Sequence, residues 1–398
     1  MSASLPSVLS ALRFPRRRVA GLVSVIMPAY NVRAYIVDAV DSVLGQTDVS
    51  VELLAIDDGS DDGTAEYLAE RAARDARLRL LRASHGGPNA ARNFAIPKAR
   101  GEYLTFLDGD DLLLPGAHGR ARAALESSGS DFAVAAYDRI VAGVPDPGPQ
   151  WIRDAHRTAR LGIRVEEYPA ILVNAVQWTK VYRRSFWDRA VRRFPTAGFY
   201  QDQVVSATAY GASTAIDVLD SVAVGWRSRD DRSSMTQQQH TVGNMQDRFR
   251  TATEALEILG RTKGDAIRNA RLVQYLSYDI ANTVGYVPGA SDEFWSELVQ
   301  RLRVFSELVP NRKLWNEVPA QHKVLYELIR RDARAEAESF IAQKGRTASL
   351  FPGDIRENGV FIRLPFWQDE RLDLPEWLFR ASPRQAKKLR KDRPAAES

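Results

Sequence analysis

From Leu22 onward, apolar residues arrive in two alternating rhythms. Leu22-Val23-Ser24-Val25-Ile26-Met27 is a near-continuous apolar run stopped by Pro28. Val51-Glu52-Leu53-Leu54-Ala55-Ile56, Leu78–Leu81, Tyr103-Leu104-Thr105-Phe106-Leu107 and Phe132–Ala136 repeat the pattern. Short runs of this kind read as strands buried on both faces. Between them Ile36, Ala39, Val40, Val43 and Leu44 recur at helical spacing, and Asp61-Asp62-Gly63-Thr64 opens a second helix where acids suit the helix dipole. A short helix is predicted around Ala90–Phe94 and another after Pro115. Repeated strand-helix units predict an α/β fold, a mostly parallel sheet with helices on both faces.

The rhythm fades between Pro145 and Pro169, which reads as an insertion or long loop, and a compact stretch resumes from Trp178 to Trp226. Beyond Gln239 the period is helical. Met245, Phe249, Ala252, Leu256 and Leu259 fall on one face, and helices are predicted over Asp265–Thr283 and Asp292–Leu308, the latter capped by Ser291. Leu350–Pro375 suggests a strand pair or irregular packing. The expected organisation is a loose leader over residues 1–20, an α/β domain over 21–238, a mostly helical C-terminal domain over 239–376 and a basic tail over 377–398.

Composition narrows the chemistry. The chain has 398 residues, ordinary hydrophobic and charged content, and a net charge of +5, too mild over this length to point to nucleic acid. With no cysteine, a thiolate metal site is excluded. The five histidines are scattered singly. No apolar stretch approaches a bilayer span, and Arg16-Arg17-Arg18 follow the first apolar residues, so a cytoplasmic protein is expected. In the tail, Arg380 to Arg393 holds seven basic residues just after Trp377-Leu378-Phe379. Two readings stay open there: a solvated, frayed end, or a surface resting on the anionic inner face of the cell membrane.

The most informative features are two aspartate clusters at strand ends, Asp57-Asp58-Gly59-Ser60 and Asp108-Gly109-Asp110-Asp111. Ligands of open α/β sheets bind outside the carboxyl ends of the strands. Carboxylates gathered at one such rim call for a hard cation, Mn²⁺ or Mg²⁺, and suggest metal-assisted handling of a phosphorylated donor.

Four segments in order, Val25-Ile26-Met27-Pro28-Ala29-Tyr30-Asn31, Ile56–Thr64, Ala91-Arg92-Asn93 and Phe106–Asp111, resemble the family 2 glycosyltransferases of the GT-A fold over about residues 22–236. The resemblance implies that Pro28, Ala29, Tyr30 and Asn31 cradle a nucleotide base, that Asp57 or Asp58 contacts base or ribose, and that Asp108 and Asp110, flanking Gly109, bind the ion bridging the diphosphate. Asp111 would help with sugar or metal, and Arg92 would touch base or phosphates. Phe199-Tyr200-Gln201-Asp202-Gln203 resembles the family's Glu-Asp-Gln segment, with Gln201 in place of the usual Glu; Asp202 is then the general base of an inverting transfer. Trp178–Arg183 resembles the segment preceding the base in bacterial members acting on cell-envelope acceptors of the teichoic-acid type, which makes Trp178 an acceptor-site wall beside Gln201. Arg227 and Arg229, with Ser233-Ser234-Met235-Thr236, resemble a loop closing on the diphosphate, and a late histidine such as His240 completes the metal shell in some GT-A enzymes. The implied partners are a nucleotide-sugar, UDP-linked, and a glycopolymer or lipid-linked saccharide, with the C-terminal domain holding acceptor or mediating self-association. The rival expectation is an inactive sugar-nucleotide or glycopolymer-binding protein on the same fold, for which Gln201 is the only support.

Overall fold

A computed structural model of the chain describes residues 18–228 and 239–392. The strands are β1 (Val19–Ala29), β2 (Val51–Asp57), β3 (Leu78–Arg82), β4 (Gly101–Phe106), β5 (Leu112–Leu113), β6 (Phe132–Val141), β7 (Val144–Asp146), β8 (Arg160–Ile163), β9 (Lys180–Arg183) and β10 (Ile216–Arg227). They form one ten-stranded sheet along the path β3-β2-β1-β4-β9-β6-β10-β5, with β7 on β6 and β8 on β10. The pairs β3-β2, β2-β1 and β1-β4 are parallel, as is β6-β10, whereas β9 runs antiparallel to both β4 and β6 and joins the two halves. The sheet is therefore mixed, with its parallel part where the apolar runs are longest.

Alternation along the strands gives the two layers. Ile26, Leu54, Ile56, Leu104 and Phe106 enter one core cluster, and Val23, Val25, Met27, Leu53, Ala55 and Tyr103 enter the other. The second cluster is covered by α1 (Ile36–Leu44) and α4 (Ala117–Ser128), with α2 (Thr64–Arg74) beside β3. The first takes α3 (Pro88–Ala95) and α7 (Gln201–Ala212), and extends without a break into the C-terminal helices.

Three expectations change. β1 starts at Val19, inside the stretch expected to be a leader, and continues through Pro28 to Ala29. Proline lacks only the N–H, and Pro28 still pairs in register with Ile56 of β2. The stretch from Pro145 to Pro169 is not a bare loop: β7 and β8 pair with the sheet and flank α5 (Gln150–Ala155). The tail is folded as far as Asp392. Leu378 and Phe379 are buried, Phe361 bridges to Arg380, and Pro383–Lys391 is a helix with a Ser382/Gln385 capping box. Arg384 reaches across to Asp154 at 2.7 Å.

The one-turn α6 (Arg184–Phe186) follows β9. Beyond β10, α8 (Val242–Lys263) buries Met245, Phe249, Ala252, Leu256 and Leu259 against α7 and its neighbours, as the spacing predicts. α9 (Asp265–Gln274) continues through a π-helical turn, Tyr275–Asp279, into Ile280–Thr283. Ser291 caps the helix Asp292–Glu307 by accepting from the Phe294 N–H. Gly353–Arg356 and Gly359–Ile362 form an antiparallel pair, β11 and β12. Among the described residues, no helix is long and apolar enough to cross a membrane.

Candidate active site

β1 and β2 end side by side, with Ala29 opposite Asp57. The chain then turns at Asn31, whose φ of 48° is left-handed, a conformation asparagine tolerates better than most residues. The segment Ser60–Thr64 locks this turn. Ser60 Oγ accepts from the Asn31 N–H at 3.1 Å, Thr64 Oγ1 from Val32 at 3.1 Å and Asp62 Oδ2 from Arg33 at 2.8 Å, while Asn31 Oδ1 accepts from the Asp61 N–H at 3.0 Å. Much of Asp57–Thr64 is therefore loop architecture. Asp57 and Asp58 are both buried, but they are used differently. Asp58 accepts from the Gly86 and Gly87 N–H groups through separate oxygens, at 3.0 and 2.8 Å. Asp57 accepts through Oδ1 from Ser60 at 3.2 Å, and its other oxygen has no partner among the described residues. Tyr30 is 44% exposed and packs on His85 with ring centroids 4.5 Å apart, an aromatic pair at the rim that the sequence did not mark.

The Gly87 turn starts α3, which brings Arg92 to the end of β4. Arg92 donates to Asn89 Oδ1 at 2.7 Å and to Asp108 Oδ1, and its guanidinium stacks on Phe194. Gly109 packs so close to Pro28 O, Ile36 and Val32 that a Cβ would sit 3.1–3.3 Å from each. Asp111 is buried beneath this turn and accepts from the Arg227 N–H at 2.8 Å. Burial, then repulsion from Asp110 and Asp108, holds its carboxyl well above the usual carboxylate range. The Arg227 guanidinium reaches Asp38 at 3.3 Å and lies over Tyr35, and its charge partly offsets the burial of Asp111. Arg229 and Ser233–Thr236 lie outside the described residues; His240 is exposed.

Three aspartates within four residues, Asp111 held toward its neutral form by burial and then by repulsion from the other two, form an all-oxygen donor set that suits a hard divalent cation. Their side chains are not gathered into a cage: among the described residues, no three His, Cys, Asp or Glu groups converge on a common ligating point. Asp108 has Arg92 as its cation.

Asp108 and Arg92 also line a cavity of about 380 Å³, together with Asp202. Trp178 and Gln201 line it too, so five of the residues singled out from sequence meet there. Pro28, Ala29, Tyr30, Asn31, Asp57, Asp58, Gly109, Asp110, Asp111 and Arg227 do not line it; they belong to the rim beyond Asp108. Asp202 lies in the first turn of α7, open to the cavity on one side and enclosed by protein on the others. Burial pushes its carboxyl up to about 6, against the pull of the Lys180 ammonium. Lys180 is fully buried and donates to Asn174 O at 2.9 Å and Val176 O at 2.6 Å; burial lowers it to about 7. Gln201 donates to Ala197 O, and its buried Oε1 has no partner among the described residues. Trp178 is half-buried, edge-on to Tyr137 at 4.9 Å.

The sequence reading missed the lining that comes from α8, the π-helical turn and the helix after it: Arg248, Tyr278, Asp279 and Asn282. Tyr278 stacks on Trp151 of α5 at 4.8 Å. A π turn slips the helical phase by one residue and re-aims side chains, so a period search passes over it.

Residues 24–192 match the family model "Glycosyl transferase family 2". EpsJ of Bacillus subtilis, an uncharacterized glycosyltransferase, is 44% identical over 90 residues, 23% of this chain and 26% of that protein. TuaG of the same organism, provisionally assigned to teichuronic acid biosynthesis, is 44% identical over 91 residues, 23% of this chain and 36% of TuaG. The matched part thus spans well under half of these curated relatives. The solved structure of S. aureus TarS 1–349 in complex with UDP-GlcNAc superposes with a TM-score of 0.68 over 86% of this chain and 96% of that one, at 21% identity, and shares the fold.

Proposed function

We propose that this protein transfers a glycosyl unit from a nucleotide-sugar, UDP-linked, to a hydroxyl of a cell-envelope glycopolymer or lipid-linked saccharide, with inversion at the anomeric carbon. The observation that carries the reading is one cavity lined by Asp108, Arg92 and Asp202, whose carboxyl burial pushes up to about 6. Asp202 takes the proton of the acceptor hydroxyl as its oxygen bonds to the anomeric carbon and the bond to the diphosphate breaks. A base near pH 6 is ionised at neutral pH yet basic enough to accept that proton. The rim of Tyr30, Asn31 and Asp57 holds the nucleoside, with the unpartnered Asp57 oxygen free to accept from base or ribose and Asp58 fixing the Gly86-Gly87 turn. Arg92 faces the phosphates. A Mn²⁺ or Mg²⁺ ion at Asp108 and Asp110 would neutralise the charge gathering on the departing diphosphate.

Support for a UDP-linked donor comes from the fold shared with the TarS complex, and for an envelope acceptor from the similarity to TuaG. The aromatic lining (Tyr137, Trp151, Trp178, Trp226 and Tyr278) suits the apolar faces of sugar rings. The basic helix Pro383–Lys391 would face an anionic membrane carrying such an acceptor. The protein is assayed with a panel of UDP-sugars and saccharide acceptors, with and without Mn²⁺, by mass detection of product. Transfer with inverted anomeric configuration is the expected result; donor binding with neither transfer nor hydrolysis across the panel would leave only a binding protein.

A further inference from the structure

Gly198-Phe199-Tyr200, the three residues that deliver Gln201 and Asp202 to the cavity, have an unusual local structure. Gly198 has φ +81° and Tyr200 has φ +59°. Left-handed backbone at a tyrosine is strained and persists only where surrounding contacts impose it. Those contacts come from one element. On α8, Asn244, Asp247 and Arg248 stand at positions i, i+3 and i+4, on a common face. Asp247 Oδ2 accepts from the Phe199 N–H at 2.8 Å, and its carboxylate fills the space above Gly198, where a Cβ would lie 2.3 Å from Oδ2. The Tyr200 hydroxyl donates to Asn244 Oδ1 at 2.6 Å and accepts from Arg248 Nη2 at 2.5 Å, and the Arg248 guanidinium lies 4.2 Å over the Tyr200 ring. Arg248 is tied in turn to Asp279 O in the π-helical turn at 3.2 Å. The Tyr200 carbonyl accepts from the Gln203 N–H at 3.1 Å, so the backbone held this way is the first turn of the helix bearing Asp202.

We infer that Asn244, Asp247 and Arg248 form a clamp from the C-terminal helices that sets the position of the base, making them positioning residues for the reaction. The inference rests on the proposed transfer, with Asp202 as base. None of the three residues need touch the anomeric centre. They fix a strained turn that Gln201-Asp202 alone does not impose, so the helical region is a working part of the active site and not solely an acceptor platform.

The test combines kinetics with amide exchange. Asp247→Ala removes the acceptor for Phe199 N–H, and Asp247→Asn restores a side-chain oxygen there. Tyr200→Phe removes the hydroxyl shared by Asn244 and Arg248 while keeping the ring. Displacing a reacting group by about 1 Å costs on the order of 100-fold. Asp247→Ala is expected to lower kcat by about 30-fold with donor KM within about 2-fold, Asp247→Asn to recover most of that loss, and Tyr200→Phe to lower kcat by about 10-fold. Exchange at residues 198–203 should accelerate in Asp247→Ala while the middle of α7 stays protected. Unchanged kcat in folded Asp247→Ala, or a loss that Asp247→Asn does not recover, overturns the clamp. Should wild type transfer no sugar at all, the functional reading fails, and the exchange measurement still decides the clamp: unaltered protection at 198–203 refutes it. If Asp247→Ala does not fold, Tyr200→Phe carries the same readouts.

Discussion

The acidic rim and the base cavity adjoin at Asp108, yet the chain builds them in opposite ways. The rim is made of short contiguous motifs, each at the carboxyl end of a parallel strand, and its hydrogen bonds are mostly local exchanges between Asn31–Arg33 and Ser60–Thr64. The cavity draws on segments far apart in the chain: Tyr137 on β6, the run 173–178 before β9, the run 198–203 leading into α7, Arg248 on α8 and Asp279 in a π turn. A rim of contiguous motifs can be carried whole by any chain with the same sheet. A cavity assembled from scattered side chains changes whenever one helix shifts. The comparison with known proteins follows much the same division: the family match spans residues 24–192, which hold the rim except Arg227, and Tyr137 and Trp178 of the cavity, but not Asp202, Arg248 or Asp279.

The sharpest way to break this division is at the base. Asp202→Asn keeps the shape of the side chain and removes the proton acceptor. Turnover is expected to fall by about 10³-fold or more, within the usual range for general bases, with donor affinity held within about 2-fold because the rim is intact. Its stability should move the other way. The folded-state pKa of Asp202 is raised, so its stabilising contribution is complete below the unfolded value and is lost as pH rises through about 6. At neutral pH the fold therefore carries an ionised, enclosed carboxylate, and the amide should raise stability by up to about 3 kcal/mol, read as a higher Tm at pH 7.5 that fades toward pH 4. A variant both inactive and less stable at pH 7.5 would show that Asp202 is held for structure.

Asp108→Ala probes the junction of the two regions. It removes a carboxylate from the phosphate end and leaves Arg92 without its partner. Turnover is expected to fall by about 10²- to 10³-fold, with weaker metal-dependent thermal stabilisation by UDP-sugars. Equal losses in Asp111→Asn would point to a role for Asp111 beyond support, since its carboxyl is already held toward the neutral form beneath the turn.

The same contrast explains what could be read from sequence. Apolar runs ending in Asp-Asp-Gly-Ser and Asp-Gly-Asp-Asp gave both the strands and the rim, because strand burial and ligand position are both local consequences of an open sheet. Asp202 was reached only through resemblance, since an aspartate in a helix's first turn is also an ordinary capping residue. The lining from α8 and the π turn was out of reach. Arg248 lies one residue from the buried stripe of α8 and reads as its solvated edge, and Asp279 follows a slip in helical phase. The stretch from Pro145 to Pro169 looked like a loop because β7 and β8 are too short and too exposed to show a period. The tail looked frayed because its fold depends on docking Leu378 and Phe379 into a core built elsewhere.

Lys180 tests whether the cavity tunes its base from a distance. Its ammonium opposes the burial that lifts Asp202, so Lys180→Met should move the acid limb of the pH-rate profile to higher pH. Turnover at pH 7 then falls by roughly 3-fold and recovers by pH 8.5. The substitution also removes one of two donors from each of the Asn174 and Val176 carbonyls, which keep the Tyr210 and Thr179 hydroxyls, at a cost of about 1 kcal/mol, so rates are compared well below the melting temperature. An acid limb that stays in place would mean that the loop geometry, and not the buried charge, is what Lys180 provides.

Trp178 gives the smallest and most discriminating effect, because it separates wall from core. It is only half-buried and meets Tyr137 edge-on, with its remaining surface on the cavity. If that surface receives a sugar ring, Trp178→Leu removes a stacking face worth about 0.5–1.5 kcal/mol, a rise of roughly 2- to 10-fold in acceptor KM. kcat and donor KM should hold within about 2-fold, since Asp202 and the rim are held by other residues. A core role predicts a different signature: a loss of stability by a few kcal/mol from the vacated volume, with both substrates and kcat affected together. The two outcomes are told apart by one pair of measurements, acceptor KM and Tm, on the same preparation. A large drop in Tm with acceptor KM unmoved would return Trp178 to the packing of β6 and β10 and leave Trp151 and Tyr278, stacked 4.8 Å apart, as the ring-binding surface.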